Sequence, residues 1–329
     1  MTPDIFQEKI HWFQKKFKEI QSAMGQILIG QEEVLMQTLI AFFANGHLLL
    51  EGLPGLGKTL LSQSLGQILG ISYKRIQFTP DLMPADILGT NVLWKDEKGM
   101  PIFRYEEGPI FCDLLLADEI NRATPKTQSA LLQAMQERKV TISGKTHDLS
   151  ENFMVMATQN PIEMEGTYPL PEAQLDRFFF KVQISLPGLQ ELIQIAQKTT
   201  QDSVYIPEQK FQKQEIMEMK SLVRQVCIHD ILMESCANLI LNTHAQSPKA
   251  DPLVKKYVQY GASPRGLQAI VLGAKVRALF QGRSYVARED ILFVLQPALR
   301  HRILLNFQGE AEGINSLKII EHIQNSLKG

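Results

Sequence analysis

At 329 residues and 44% hydrophobic content, the chain is long enough for two domains or one large one, and apolar enough to fill a real core. A net charge of -1 and a pI near 6.7 leave no global field to draw it to nucleic acid or anionic lipid. Three scattered cysteines, Cys112, Cys227 and Cys236, form no C-x-x-C pair, so neither a disulfide framework nor a zinc site is favoured and buried, reduced thiols are expected.

In chain order, residues 4–24 read as an amphipathic helix ended near Gly25. Trp12, Phe13 and Phe17 recur at helical spacing, with His11, Lys15, Lys16 and Lys18 interleaved, a solvated cationic face with a docking surface as the alternative. After Ile27-Leu28-Ile29-Gly30-Gln31 a second helix spans about 32–45. Strands are predicted at 47–51, 74–78, 113–117, 153–158 and 178–182, with helical stretches between them. That alternation implies a doubly wound α/β fold, a five-stranded parallel sheet in an αβα core.

Two hairpins interrupt the rhythm. Residues 90–105 alternate Val92/Trp94 and Ile102/Arg104 around a turn-rich Lys95-Asp96-Glu97-Lys98-Gly99, and residues 139–149 repeat the pattern just before the fourth strand. Such inserts grip a partner or decorate a loop edge. Leu186-Pro187-Gly188 marks the boundary between a nucleotide-binding core, residues 1–187, and a small all-α lid, residues 188–329, with helices near 189–198, 213–226, 230–244, 264–281 and 288–301. No apolar run approaches the roughly 18 uncharged residues of a membrane span, and the first ten residues lack a signal-peptide profile, so a cytoplasmic location is expected.

Gly52-Leu53-Pro54-Gly55-Leu56-Gly57-Lys58-Thr59 joins the first predicted strand to the helix-forming run that starts at Leu60. Strand, glycine turn and helix N-terminus build a polyphosphate cradle, the Walker A pattern in its required setting. The cradle is expected to comprise Gly52, Pro54, Gly55, Leu56, Gly57, Lys58, Thr59 and Leu60, with Lys58 supplying a mobile ammonium and the Thr59 hydroxyl joining a Mg2+ shell. About 60 residues on, Leu114-Leu115-Leu116-Ala117-Asp118-Glu119 delivers two carboxylates at a strand's C-terminal end, where α/β sheets place ligands. Asp118 is expected to hold Mg2+, and Glu119 to orient and deprotonate the attacking water. A switch GTPase needs no such acid, and no N-K-x-D guanine motif occurs, so ATP is the better nucleotide.

The run from Asp118-Glu119-Ile120-Asn121-Arg122 through Gln133-Ala134-Met135-Gln136-Glu137 resembles the MoxR family of AAA+ ATPases, as do Ala157-Thr158-Gln159-Asn160-Pro161 and Leu175-Asp176-Arg177-Phe178. The resemblance covers the chain from Gly30 to Arg302, with slight departures at Thr124 and Gln133. It implies that Asn160 is the polar sensor, bonding both the attacking water and the γ-phosphate, and that Arg177 is an arginine finger reaching an adjacent subunit's nucleotide. Arg265, in Ser263-Pro264-Arg265, matches a second sensor expected to swing onto its own subunit's γ-phosphate, and Gly30-Gln31 matches the segment that lies against adenine. Arg122 receives no definite role. Bare pattern leaves alternatives at each position: a turn former at Asn160, an ion pair at Arg177, a surface charge at Arg265 and a helix cap at Gly30-Gln31.

The implied protein is a chaperone-like, ATP-driven homo-oligomeric ring, expected as a hexamer, that remodels or matures protein complexes or assists metal cofactor insertion. Partners in this family are often proteins with a von Willebrand factor A domain, and no D-x-S-x-S motif occurs here, so such a partner would be a separate polypeptide. The rival reading is a nucleic-acid motor tracking a backbone with Lys139 and Lys145, disfavoured by the near-neutral charge. A nucleotide-gated switch with little turnover is the third, disfavoured by Glu119.

Overall fold

The computed structural model describes residues 3–95, 99–161, 166–200, 208 and 211–325. Helices α1 (Pro3–Gly25) and α2 (Glu32–Phe43) precede β1 (Leu48–Glu51), and α3 (Lys58–Leu69) leads to β2 (Tyr73–Gln77). A short α4 (Pro84–Leu88) opens a hairpin of β3 (Gly89–Lys95) and β4 (Pro101–Glu107). Then come β5 (Leu114–Asp118), α5 (Pro125–Glu137), a second hairpin of β6 (Lys139–Ile142) and β7 (Lys145–Asp148), β8 (Met154–Gln159), α6 (Glu172–Leu175) and β9 (Phe180–Gln183). The C-terminal part holds α7 (Leu189–Thr199), α8 (Lys213–Val223), α9 (Asp230–Leu241), α10 (Pro252–Tyr257), β10 (Val258–Tyr260), α11 (Pro264–Phe280), α12 (Arg288–Leu299), β11 (Leu304–Leu305), α13 (Phe307–Ala311) and α14 (Ser316–Gln324).

Five strands pair in parallel in the order β2-β5-β8-β1-β9. Parallel sheets are covered on both faces, and the period-2 alternation divides the strand residues between two cores. Leu48, Leu50, Leu114, Leu116, Met154, Met156, Phe180 and Val182 face one way, into an apolar cluster shared with α1, α2, α3 and the C-terminal helices. Leu49, Leu115, Ala117, Val155 and Ala157 face the other, against Ile87 of α4 and Leu131, Leu132 and Met135 of α5. These side chains are sealed from solvent, and truncating one such as Leu115 to alanine would cost about 2–5 kcal/mol.

The predicted strands match the observed ones to within two residues. β9 begins at Phe180 rather than 178 because the Phe178 N–H still closes the preceding turn onto the Leu175 carbonyl at 3.1 Å. The apolar cluster crosses the expected boundary at residue 187 without a break: Phe17 of α1 packs at a tilt against Phe280 of α11 with ring centroids 4.8 Å apart. Phe13 and Phe17 of α1 are buried, Lys16 pairs with Glu215 of α8 at 2.9 Å, and Lys15 and Lys18 are exposed.

Both hairpins are present, and they touch: Asn91 donates to Ser143 Oγ at 2.8 Å, and Tyr105 and His147 lie with ring centroids 4.6 Å apart. The turn residues 96–98 lie outside the described residues. Trp94 is 50% and Phe103 77% exposed, so neither is consumed in packing the first hairpin. Cys227 is exposed, contrary to expectation, because it follows α8 on a surface loop. Burial pushes the Cys112 thiol up to about 12 and Cys236 up to about 11.

Candidate functional site

All five strands of the sheet point the same way, so it has a C-terminal edge and an N-terminal edge, and the predicted site residues divide between them. At the C-terminal edge β1 ends at Glu51 and the chain turns through Gly52–Gly57 into α3. Gly57 is the N-cap of α3 at φ 83°, left-handed backbone that a side chain resists. A Cβ at Gly52 would lie 2.8 Å from the Ile184 carbonyl oxygen, so the loop can pass β9 only with glycine there. Lys58 Nζ reaches back to the Gly52 carbonyl at 2.5 Å and spans the loop, while Thr59 occupies the first turn of α3. Pro54 and Gly55 form the exposed crest of the loop, and Leu60 is exposed on the helix behind it.

The partner acids both stand at the end of β5, two strands from β1 with β8 between. The Asp118 carboxylate accepts from Thr158 Oγ1 of β8 at 2.6 Å and from Arg75 of β2 at 2.7 Å. Glu119 turns away from the strand at φ 57°, a left-handed conformation costing a non-glycine residue about 1–3 kcal/mol. Three hydrogen bonds hold it there: its N–H donates to Thr158 Oγ1 at 2.8 Å, and its carboxylate accepts from Gln77 Nε2 at 2.6 Å and Arg122 at 3.0 Å. Thr158 thus links both acids from a fully buried position. Sequence reading missed it, and missed Gln77 and Arg75, because their role follows from strand order rather than from any local motif. Register pairs Gln77 with Asp118 and Glu51 with Gln159, so Asn160, one residue beyond β8 and buried, emerges level with Gly52. Residues 162–165, part of the resembling run, lie outside the described residues.

Gly30 and Gln31 line a neighbouring cavity of about 460 Å3 with Glu33, Gln183, Pro187 and Pro297. The Gln31 amide donates to the Leu56 carbonyl at 3.0 Å, which ties this segment to the phosphate loop, and among the described residues its buried Oε1 has no partner.

Arg177 and Arg265 are elsewhere. Arg177 precedes β9, and because Phe180 pairs with Leu48, it lies at the N-terminal edge. There Arg177, Arg265, Arg138 and Arg224 line a second cavity, about 700 Å3, with Asn45 and His47. His47 and Gly52 are separated by the length of β1, roughly 17 Å at ~3.3 Å per residue. The expectation that Arg265 swings onto its own subunit's γ-phosphate is therefore corrected: Arg265 donates to Asp176 at 3.2 Å, at the opposite edge from Lys58. The Arg177 Nη1 donates to the Leu132 carbonyl at 2.7 Å, and among the described residues its buried Nε has no partner.

Buried His47 forms part of this second cavity. Its Nδ1 accepts from the Val155 N–H at 3.0 Å, so the proton sits on Nε2, which donates to the Met135 carbonyl at 3.1 Å. Burial, helped by the Arg138 charge, pulls its pKa down to about 3.

Residues 47–180 match the model of the AAA family, the ATPases associated with various cellular activities, and residues 250–323 match that of the AAA lid domain. The chain is 37% identical to Chaperone MoxR1 of Mycobacterium tuberculosis over 96% of its own length and 81% of that protein's. It belongs to the MoxR family of AAA+ ATPases. Protein MoxR of Methylorubrum extorquens is 29% identical over 86% of the chain and 85% of that protein. A crystal structure from Cytophaga hutchinsonii, described as that of a candidate ATPase, superposes with a TM-score of 0.90 at 38% identity and covers 97% of this chain and 96% of that one. This MoxR-family chain is thus a chaperone-like AAA+ ATPase with the αβα core and helical lid expected of it. Among the described residues no helix is long and apolar enough to cross a membrane.

Proposed function

We propose that this ATPase works as a head-to-tail ring in which the C-terminal edge of one subunit's sheet and the N-terminal edge of the next form a single hydrolytic site. The observation that carries the reading is the split itself: the phosphate loop with Asp118, Glu119 and Asn160 lies at one edge, and Arg177 with Arg265 at the other. A heterologous contact between unlike edges closes into a ring when its rotation permits.

The residues of the C-terminal edge fit Mg-ATP. A strand-to-helix turn rich in glycine, with Lys58 beside it, suits a polyphosphate, and the orphaned Gln31 Oε1 offers an acceptor to the exocyclic amine of adenine. The hard oxygen donors Thr59 and Asp118 suit Mg2+, which needs few protein ligands. Bound Mg2+ would supply neutralisation of charge on the phosphate oxygens. Glu119 would take the proton of the attacking water, which requires Gln77 or Arg122 to release part of its carboxylate. Asn160 would orient that water, and the neighbour's Arg177 and Arg265 would meet the charge that develops on the transferred phosphoryl group.

We assign the work done by this cycle to the remodelling or maturation of protein complexes, metal cofactor insertion among them, with a separate von Willebrand factor A protein or another polypeptide as partner. Family membership supports this class of work, and the exposed Trp94 and Phe103 of the first hairpin offer an apolar contact for such a client. Lys139, which the nucleic-acid reading needs free, is paired across its hairpin with Asp148 at 3.2 Å.

Mixing Arg177→Ala subunits with Glu119→Gln subunits tests the split site. Each variant alone should be nearly inactive, and mixed rings should regain turnover at interfaces that combine an intact acid edge with an intact arginine edge. No recovery in rings shown to be mixed would exclude the reading.

A further inference from the structure

Directly before Arg177 stands a carboxylate that the split site leaves without a role. We propose that Asp176 is the positioning residue of the arginine edge, holding Arg177 and Arg265 in fixed relation so that the phosphates of a neighbouring subunit meet both. This rests on the head-to-tail reading above.

The hydrogen bonds around Asp176 sort its two arginine partners into a fixed and an exchangeable one. Its Oδ1 accepts from Arg302 Nε at 2.9 Å and Ser263 Oγ at 2.8 Å. Its Oδ2 accepts from Ser263 Oγ at 2.9 Å and Arg265 Nη1 at 3.2 Å. The Arg302 side chain is 2% exposed. Its Nη2 donates to the carbonyls of Asp176 at 3.0 Å and Phe178 at 2.6 Å, and its Nη1 to those of Phe179, at 3.1 Å, and Ala298. With Nε on the carboxylate, all five guanidinium N–H groups are used. Arg302 therefore has nothing left for a phosphate. It pins the backbone on both sides of Arg177 to the C-terminal end of α12.

Arg265 differs. Its side chain is 42% exposed, and among the described residues its one side-chain hydrogen bond is the edge contact with Asp176. When it turns to a phosphate, Asp176 keeps Arg302 and Ser263, so no buried charge is orphaned. Ser263 also caps α11 by accepting from the Arg265 N–H at 3.1 Å. One carboxylate thereby sets the start of the helix carrying Arg265 and the strand entry carrying Arg177. Burial by itself would raise the Asp176 carboxyl pKa, but the bonds from Ser263, Arg302 and Arg265 outweigh it and hold the group below its ordinary value.

Asp176→Asn removes the charge and keeps the volume. Assembled rings of this variant are expected to lose about 10- to 100-fold in kcat, with the KM for ATP within about twofold, because the residues that contact their own nucleotide are unchanged. Mixed with Glu119→Gln subunits, which bring an intact arginine edge, they should regain turnover, as should the Arg177→Ala control mixture. Recovery in both supports the proposal. An unchanged kcat in Asp176→Asn, or recovery in the control alone, overturns it, since the second outcome locates the defect in the variant's own fold or acid edge. Failure of the control overturns the head-to-tail reading beneath it. Should Asp176→Asn not assemble, Ser263→Ala strips one donor from the same carboxylate and is read in the same mixtures: a recovered loss supports the assignment, and full activity or an unrecovered loss refutes it.

Discussion

The two edges of the sheet are built on opposite principles. The C-terminal edge is made of short, consecutive segments, each placed by the strand it leaves, and its acids are held by neutral or cationic neighbours one strand away, Thr158, Gln77 and Arg75. The N-terminal edge gathers cations from distant parts of the chain, Arg138, Arg177, Arg224, Arg265 and Arg302, around the carboxylates of Asp176 and Glu151 and backbone carbonyl oxygens. An acid edge can be completed by Mg2+. A crowded cationic edge lowers its energy by meeting an anion, and in a head-to-tail ring that anion is a neighbour's triphosphate.

The sharpest way to break this comparison is Arg177→Ala. Removal of a finger acting between subunits is expected to lower kcat about 10^3- to 10^5-fold while ATP affinity, measured by equilibrium titration, stays within severalfold. A fall in affinity of the same size as the fall in rate would place Arg177 in its own subunit's binding site instead. Glu119→Gln comes next. Loss of the water-activating base should reduce steady-state turnover about 10^2- to 10^4-fold with nucleotide still bound, and an unchanged rate would favour a switch that needs no such base.

Acid should weaken the N-terminal edge. His47 stays neutral in the folded chain down to about pH 3, whereas the unfolded chain binds a proton near the ordinary 6.5. Between those values the unfolded state holds more protons, so stability falls as pH drops below 6.5. Moving from pH 7 to pH 5 should cost about 2 kcal/mol from this residue, and more in total because burial holds His301 well below its ordinary value too. Urea midpoints at the two pH values should differ less in His47→Gln than in the parent; equal differences would remove His47 from the account.

The smallest expected effect concerns Lys220, buried over the Phe42 ring at 4.0 Å and donating to Asn45 Oδ1 at 2.8 Å. Burial first, and then the Arg138 charge, lowers its pKa to about 7. The unfolded lysine stays protonated up to about 10.5, so stability of the parent should rise between pH 7 and pH 10. Lys220→Met, which keeps the volume and leaves Asn45 to solvent, should gain about 1 kcal/mol at pH 7 and show a flatter profile in denaturant titrations. A loss of stability at pH 7 would mean that the ammonium contributes more through Asn45 and Phe42 than burial costs it.

How much of this was legible beforehand follows the same division. The glycine loop after β1 and the acidic pair after β5 could be read directly, because each sits at a strand end whose apolar run announces it, whereas the reading of Asn160 came from the family resemblance alone. The lid was less legible. Its longer helices showed their periodicity, but the short β10–β11 pair, α10, α13 and α14 went unassigned, since elements of two to nine residues carry too little pattern to stand out. Arg265 was recognised as a residue and misplaced in space, because no local pattern states which end of the sheet a lid helix will reach.

Taken alone, the amino-acid order determined the strands, the glycine turn between β1 and α3, and the placing of Lys58, Asp118 and Glu119 at strand and helix ends, since backbone geometry and burial act there over a handful of neighbouring residues. Only the tertiary structure decided that Arg265 lies a strand length from its own phosphate loop, that Arg302 has every donor engaged, and that Thr158 links both acids. Those facts depend on parallel register and on helices packed across more than a hundred intervening residues, and long-range packing leaves no periodic trace in the segments it joins.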